Sequence, residues 1–181
     1  MPDLLPFRDY DEHDVLNLFA FDYTGGAHIK KGSLVKIVSG WTAQDNLDDN
    51  WVNGATYGNT LSPRYAVRPK VQLADTGNTD ALGILLYDVR ETDENGEKLL
   101  YNPSKAAEMQ VAISGQAVPI ATKGIFLMSG FGQTASTAEY TVGSSVYPGN
   151  DGELTLKGTQ VVGKMLGPVS AQGWGLVKID L

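Results

Sequence analysis

Side chains that could perform catalysis or bind metals are scarce in this chain of 181 residues. It contains no cysteine and only two histidines, which excludes disulfides, thiol catalysis and cysteine-bound zinc. His13 lies in an acidic segment and His28 in a Gly-Gly turn, and such a histidine is more often a solvated polar residue than a general base. The serines form no Gly-x-Ser-x-Gly elbow. The sequence therefore offers no catalytic or metal-binding signal, and no cofactor is expected.

Two short segments partly match ligand-binding motifs. Residues 91–96 (ETDENG) resemble the start of a calcium loop, but the twelfth position holds Asn102 where a bidentate glutamate is required. The Asn95-Gly96 pair between two strand-like arms instead predicts a β-hairpin with a type I′ turn. Residues 130–135 (GFGQTA) loosely match a dinucleotide fingerprint, but the β-like sequence that follows does not predict the helix that such a motif needs. A plain loop is predicted there.

The elements that surround these residues are predicted to be β-strands. Short apolar runs alternate with turns, and the 21 glycines and 8 prolines exceed the average for globular chains. Consecutive apolar residues at 84–87 and 125–128 predict strands that are buried on both faces. One helix of at most two turns is predicted at 103–109, with Asn102 as N-cap and Pro103 at the first helical position. Strands are predicted at 15–22, 34–38, 67–73, 81–92, 99–101, 111–114, 125–128, 145–147, 154–156, 161–166 and 174–179.

Two regions do not fit a compact barrel. Pro2 and Pro6 exclude a helix at 1–14, where an extended N-terminal arm is predicted. The segment 39–66 is rich in Asn, Gly and Asp, yet it holds Trp41, Trp51 and Tyr57, and so long a loop is uncommon unless it is functional. Its aromatic residues indicate packing on this chain or on a partner. The predicted fold is therefore all-β: one compact barrel or sandwich at 15–181, with an arm at 1–14 and an insertion at 39–66.

A faint internal repeat is present. Residues 32–35 (GSLV) are similar to 143–146 (GSSV), and 81–89 are similar to 161–169 in the spacing of Gly and apolar residues. The separation between the two segments is longer in the first copy, from Gly32 to Gly83, than in the second, from Gly143 to Gly163. An insertion at 39–66 in the first copy accounts for most of this difference. Since a glycine followed by a strand recurs in any Gly-rich β protein, we expect chance recurrence rather than duplication.

The charge of the chain excludes some classes of partner. With 14 basic and 21 acidic side chains the formal net charge is −7, which argues against nucleic acid, whose phosphates require a basic face. No apolar run reaches the ~18 residues of a membrane span, so no membrane partner is expected. The N-terminal residues contain no basic region followed by a long apolar run, so no signal peptide is expected.

Several segments, taken in order, resemble the head-decoration, or capsid cement, proteins of tailed bacteriophages. The order is a Gly-led strand, a Gly-containing strand, a Val-Pro strand that runs into Gly-Ile-Phe, a second Gly-led strand and a final Val-Gly strand. The ordered set, including the stretches between its segments, extends over about half of the chain, whereas the arm, the 39–66 segment and the Asn95 hairpin lie outside. The segments are IKKGSLV (29–35), ALGIL (81–85), GQAVPIATKGIF (115–126), VGSSVY (142–147), DGELT (151–155), VVGKML (161–166) and LVKI (176–179).

This resemblance implies a virion structural protein without catalytic residues. It implies a compact β-barrel that forms a homotrimer on three-fold or quasi-three-fold positions of the capsid and clamps the major capsid protein from outside. An extended arm with apolar anchors can add a strand to a partner, so contact with the capsid or a sister subunit is predicted for the arm residues Leu4, Leu5, Phe7, Arg8 and Tyr10. The alternative is that the arm packs on its own barrel.

Two other classes of function remain open. A fibre or carbohydrate-binding module would use Trp41, Trp51 and Tyr57 as stacking platforms. A trimeric β-fold hydrolase would need acidic and donor groups that converge across a subunit interface, which a single sequence does not display.

Overall fold

The computed structural model describes residues 3–6, 14–22, 28–39, 69–113, 115–132 and 139–181. In these ranges the chain is mainly β, as the sequence predicts, with one short α-helix, α1 (Pro103–Glu108). Two 3₁₀ turns lie at Leu99–Tyr101 and Asn150–Gly152. The strands are β1 (Asp3–Pro6), β2 (Val15–Phe21), β3 (Leu34–Ser39), β4 (Lys70–Leu73), β5 (Ala81–Leu85), β6 (Asp88–Val89), β7 (Val111–Ala112), β8 (Ala117–Ala121), β9 (Lys123–Ser129), β10 (Ser145–Pro148), β11 (Leu154–Thr155), β12 (Gly163–Met165) and β13 (Gly175–Asp180).

The strands form a closed barrel and an open sheet. The barrel has the order β2-β4-β3-β5-β8, and the six-stranded sheet has the order β1-β9-β13-β12-β10-β11. All pairs are antiparallel except β2 with β4 in the barrel and β6 with β7 in a separate two-stranded sheet. Strand β8 leads almost directly into β9, so one continuous segment crosses from the barrel to the sheet.

The barrel and the sheet repeat one topology. We call β2, β3, β4, β5 and β8 the first unit, and β9 to β13 the second unit. In both units the chain order of the five strands becomes the spatial order first, fifth, fourth, second, third. In the first unit the first and third strands pair in parallel, and in the second unit a parallel bridge between Phe131 and Leu154 joins the corresponding parts of the chain.

The residues of the faint sequence repeat occupy equivalent positions in these units. Val35 pairs with Gly83 in the first unit, and Val146 pairs with Gly163 in the second. The N–H of Gly32 donates to the Leu85 carbonyl at 2.7 Å, and the N–H of Gly143 donates to the Met165 carbonyl at 2.8 Å. The expectation of chance recurrence is therefore wrong, and the chain contains an internal duplication.

The turn and strand glycines of the repeat have the same functions in both units. Gly32 and Gly143 have φ of 87° and 86°, a left-handed conformation that favours glycine. A Cβ on Gly83 would lie 2.4 Å from the Ala121 carbonyl oxygen, and one on Gly163 would lie 2.2 Å from that of Lys178. Both strand positions therefore require glycine because a neighbouring strand approaches too closely for a side chain.

Two connections of the first unit are longer than their counterparts. The β3–β4 connection spans 40–69, whereas the equivalent β10–β11 connection spans 149–153. The predicted insertion at 39–66 therefore falls at this connection, although 40–68 lie outside the described residues. The β5–β8 connection spans 86–116, against 166–174 in the second unit, and we call residues 86–113 the lobe.

The apolar core has three parts. One cluster fills the barrel and includes Val35, Leu85 and Ile120. A larger cluster joins the units, since it contains Leu34 and Ile84 from the barrel with Phe126 and other residues from the sheet. The adjacent residues Ile84 and Leu85 thus enter different clusters, which confirms burial on both faces for these two residues, whereas Tyr87 lies beyond β5 and is 38% exposed. At 125–128 only alternate residues are buried, so the same prediction was wrong for β9.

The lobe has its own small core and corrects two predictions. Leu99, Ala106, Val111 and Ile113 are buried together. The predicted strand at 81–92 is interrupted after β5, and the predicted strand at 99–101 is a 3₁₀ turn. The helix prediction is confirmed, since the Asn102 side chain caps α1 by accepting from the Lys105 N–H at 3.3 Å.

The Asn95-Gly96 hairpin forms with a different turn. Thr92 and Lys98 make an antiparallel bridge, but of the turn residues only Gly96 has a positive φ, 82°. A type I′ turn requires positive φ at both central residues, so this turn is instead of type I followed by a left-handed glycine.

Strand β8 is absent from the strands predicted from apolar runs, although the Val-Pro strand of the family resemblance falls on it, and Pro119 stands at its centre. Proline lacks an N–H and is usually confined to sheet edges or bulges. Here the partner strand β2 has a bulge between Leu16 and Phe19, opposite Pro119. The missing donor therefore falls where the ladder is already interrupted, while the Pro119 carbonyl accepts the Leu86 N–H at 3.0 Å.

Candidate contact surface

Four leucines form a continuous row across the outer face of the six-stranded sheet. Leu5 pairs with Leu127, and Leu127 pairs with Leu176. The N–H of Leu166 donates to the Leu176 carbonyl at 2.8 Å, which extends the row to the end of β12. Alternate residues of these strands, such as Leu4 and Val177, point into the core, so the leucines lie on the opposite face.

The leucine row is substantially exposed. Leu5 is 49% exposed and Leu166 is 40% exposed, and Leu127 and Leu176 are half-buried. An isolated exposed leucine is ordinary, but a contiguous apolar row on a sheet is a feature of contact sites. The row is therefore the candidate contact surface of this protein.

Basic side chains lie along one side of the leucine row. Lys178 pairs with Lys164 across β12 and β13 on this same outer face. Lys123 is the first residue of β9 and pairs with Asp180 of β13. Asp180 lies 3.6 Å from the Lys123 ammonium and 3.5 Å from that of Lys178. Three lysines thus accompany Asp180 on this side of the row, and Asp3 lies on the same face two residues before Leu5. We call the four leucines with these three lysines the leucine face.

The tip of the lobe carries a second exposed apolar group, and the charged side chains around it are three glutamates and the exposed Lys98. Tyr101 is 76% exposed and Leu100 is 41% exposed. Beside them, Glu91 and Leu100 line an open cavity of about 240 Å³ with Lys98 and Ile113. The lobe carries four exposed glutamates in all, Glu91, Glu94, Glu97 and Glu108. We call Leu100, Tyr101, Glu91, Glu94 and Glu97 the lobe tip.

An ion pair between a buried carboxylate and a partly exposed lysine stabilises the lobe next to this tip. The Asp93 side chain is 2% exposed; its Oδ1 accepts the N–H groups of Asn95 and Glu97, each at 2.8 Å, and its Oδ2 accepts a hydrogen bond from the Lys105 ammonium. The hydrogen bond from Lys105 holds the pKa of Asp93 below its usual range, and the same bond raises the pKa of Lys105. Asp93 is thus engaged in organising the turn, which accounts for the acidic pattern of residues 91–96.

The other polar groups considered in the sequence have structural partners. His28 Nε2 lies 2.8 Å from Asp88 Oδ2, and Asp88 Oδ1 accepts the Lys31 N–H at 2.8 Å. The described part of the chain contains no group of three or more His, Asp or Glu side chains that could hold a metal ion. His13 lies outside the described residues.

An open groove of about 680 Å³ lies between Thr76 of the first unit and residues of the second unit that include Asn150 and Glu153. The Thr76 hydroxyl donates to Asn150 Oδ1 at 2.7 Å across it. Burial raises the pKa of nearby Tyr140, whose hydroxyl lies 3.2 Å from the carbonyl oxygens of Gly132 and Leu154. These bonds connect loops of the second unit and indicate a structural role.

The fingerprint-like segment 130–135 is described only in part. Phe131 makes the bridge to Leu154, and the Gly132 N–H donates to the Leu154 carbonyl at 2.7 Å. These two residues are therefore engaged in the second unit, while 133–138 lie outside the described residues.

The structure separates the predicted arm residues. Leu4 is 2% exposed and packs in the chain's own core, whereas its neighbour Leu5 points outward in the leucine row. For residues 3–6 the alternative prediction therefore applies, since this segment is a strand on the chain's own sheet. Phe7, Arg8 and Tyr10, like Trp41, Trp51 and Tyr57, lie outside the described residues.

Leu127, Leu166 and Leu176 are candidate contact residues that the sequence did not indicate. Each lies in a predicted strand, but only the register across β9, β12 and β13 aligns them with Leu5. The clue in the sequence was the alternation of Leu176 and Lys178 with buried residues.

Comparisons with known proteins identify no relative. No family model, curated protein or solved structure matches this chain. In the described residues no helix has both the length and the apolar character needed to cross a membrane.

Proposed function

We propose that this protein is a capsid decoration protein of a tailed bacteriophage. It would bind the outer surface of the capsid as a homotrimer at three-fold or quasi-three-fold positions and stabilise the lattice of the major capsid protein. The observation that carries the proposal is the leucine face, because a contiguous apolar row with charged flanks suits a protein whose function is contact.

The location of the family-like segments also supports the proposal. Segments 29–35, 81–85 and 115–126 contribute to the first unit and β9, and segments 142–147, 151–155, 161–166 and 176–179 contribute to the second unit. The resemblance thus follows the duplicated β scaffold rather than its insertions. Several modest contacts per oligomer, repeated over a lattice, would supply strong binding through avidity.

Co-sedimentation with capsids tests the proposal. The purified protein is mixed with expanded, undecorated capsids assembled from the major capsid protein of the virus that encodes it. We expect saturable binding to the outside of the shell and a higher temperature of capsid disruption. A protein that remains in the supernatant at every ratio would contradict the proposal.

The proposed contact of the arm is tested in the same assay. Replacing Phe7, Arg8 and Tyr10 together by alanine leaves Leu4 in the core, so the fold is expected to remain. Weaker capsid binding or weaker self-association of this variant would support the arm contact, and unchanged behaviour in both would exclude it. A carbohydrate-binding role would depend on Trp41, Trp51 and Tyr57, and no feature of the described residues favours it.

A further inference from the structure

The leucine face and the lobe tip are complementary in composition. One presents four leucines beside Lys123, Lys164 and Lys178, and the other presents Leu100 and Tyr101 beside three glutamates. An apolar centre with polar flanks is the usual anatomy of a protein interface, and tyrosine is enriched at its centre. Each surface therefore has the chemistry that the other would bind.

Charge excludes the simpler symmetric contacts. Two leucine faces brought together would oppose lysines with lysines, and two lobe tips would oppose glutamates with glutamates. Like charges across an interface are costly, whereas opposite charges steer association and set its register. The net charge of −7 for the whole chain makes the basic character of the leucine face more distinctive.

The internal duplication shows that this position of the fold is suited to burial by another domain. The first-unit equivalent of Leu166 is Leu86, which is 7% exposed and belongs to the core that joins the two units. The backbone contacts agree, since Leu86 donates to Pro119 at 3.0 Å as Leu166 donates to Leu176 at 2.8 Å. In the second unit the same position remains uncovered by the described chain.

The residues that flank Leu166 indicate a contact between molecules that can separate, rather than a second permanently buried core. Ile84 and Ala121 in the first unit are fully buried, and their second-unit equivalents are Lys164 and Lys178, which are exposed. The duplicated face thus retains its leucine position but has acquired charged surroundings, a composition typical of interfaces between molecules that also exist apart.

We propose that copies of this chain associate head to tail, with the leucine face of one copy bound to the lobe tip of the next. This inference deepens the proposed function by naming the surfaces through which copies assemble, and it rests on that function for its biological setting. A head-to-tail contact leaves one free surface at each end, so it extends until a ring closes.

Sedimentation of single variants tests the two surfaces. At about 10–100 µM, where micromolar contacts form, the wild-type protein is expected to be larger than a monomer. Leu166→Glu and Tyr101→Ala should each weaken association by about tenfold or more, as for central interface residues. Leu18→Glu is the matched control, because Leu18 is 51% exposed on β2, outside both surfaces, and its association should be unchanged.

Mixing the two variants tests the head-to-tail geometry. The Leu166→Glu protein retains its lobe tip, and the Tyr101→Ala protein retains its leucine face. An equimolar mixture should therefore form a heterodimer and nothing larger. Combining Lys164→Glu and Lys178→Glu with Glu91→Lys and Glu94→Lys in one chain should restore the association that the lysine changes alone remove.

Several results would overturn the inference. One is that the wild-type protein sediments as a monomer across the whole concentration range. Another is that the Leu166→Glu protein keeps its thermal transition and sediments with the same mass as the wild type. The third is that the Tyr101→Ala protein associates as strongly as the wild type. A protein that associates as described but does not bind capsids would contradict only the proposed function. A protein that binds capsids as a monomer would contradict the inference. It would still support the proposed capsid decoration, but not the proposed homotrimer.

Discussion

At the scale of single residues, Asp93 has the most demanding environment of the described acidic side chains. Its carboxylate is nearly inaccessible to solvent and accepts hydrogen bonds from two backbone N–H groups and from Lys105. A buried carboxylate persists when such donors satisfy its oxygens. The turn that presents the lobe tip therefore depends on this one ionised group.

The ion pair predicts a defined dependence of stability on pH. Because the folded pKa of Asp93 is lowered, its contribution is complete above the unfolded value of about 3.9 and is lost as the pH falls through the folded value. Because the folded pKa of Lys105 is raised, its contribution is complete below about 10.4 and is lost as the pH rises through the folded value. The pair therefore stabilises the lobe most between these limits.

Thermal unfolding of Asp93→Asn measures this contribution. The variant is expected to melt below the wild type at pH 7. The difference should shrink as the pH falls below about 4 toward the lowered folded pKa of Asp93, because the unfolded carboxylate then binds a proton before the folded one does. Glu94→Gln is the control, since Glu94 is an exposed carboxylate of the same turn, and it should melt like the wild type. A difference that stays constant from pH 7 to 3 would exclude the ion pair as its origin.

At the scale of elements, β1 is the least expected strand. Its four residues DLLP are too few and too close to prolines to predict a strand, and Leu4 and Leu5 are indistinguishable by residue type. Pairing with β9 separates them, because adjacent side chains of a strand point to opposite faces. One leucine thus stabilises the sheet, and its neighbour contributes to the contact surface.

Alanine substitutions at these two positions should have different consequences. Leu4→Ala is expected to lower the free energy of unfolding by about 2–5 kcal/mol, as for a buried leucine. Leu5→Ala should change it by only about 0.5 kcal/mol and should weaken self-association instead. Chemical denaturation of both variants, with sedimentation at matched concentration, makes the comparison. Equal losses of stability would contradict the packing of β1 on the chain's own sheet.

The predictions of individual elements succeeded where local rules dominate. The α1 cap follows from Asn102 and Pro103, and the hairpin follows from Asn95-Gly96. The single strand expected at 81–92 failed because the chain leaves the barrel after Leu85 to form the lobe. Strand β8 was expected from the family resemblance but not from its apolar pattern. Pro119 argues against a strand unless the partner contains a bulge, and that bulge is a property of β2.

At the scale of the whole molecule, the two units share a core. Leu34 and Ile84 from the first unit and Val146 and Ile179 from the second belong to one cluster. Since neither unit can lose the other without exposing these apolar side chains, the pair should unfold together. We therefore expect the repeated architecture to unfold as one cooperative body rather than as an independent barrel and an independent sheet.

Denaturation of two core variants tests this cooperativity. Ile120→Ala removes a fully buried side chain from the barrel cluster, and Ile179→Ala removes one from the joint cluster. Each should move a single common transition, followed by circular dichroism, by about 2–5 kcal/mol with an unchanged slope. A plateau between two transitions, of which each substitution shifts only one, would show that the units unfold separately.

The sequence by itself determined the β class, the short helix α1, the location of the main insertion and the absence of cysteine chemistry. These follow from local periodicity, turn residues and composition, which act over a few neighbouring positions. The tertiary structure decided that the faint repeat is a duplication, that Leu4 is core and Leu5 surface, and that four distant leucines form one row. These features depend on strand register, which is set by hydrogen bonds between residues far apart in the sequence. A shift of one residue in register would move every side chain of a strand to the opposite face of the sheet.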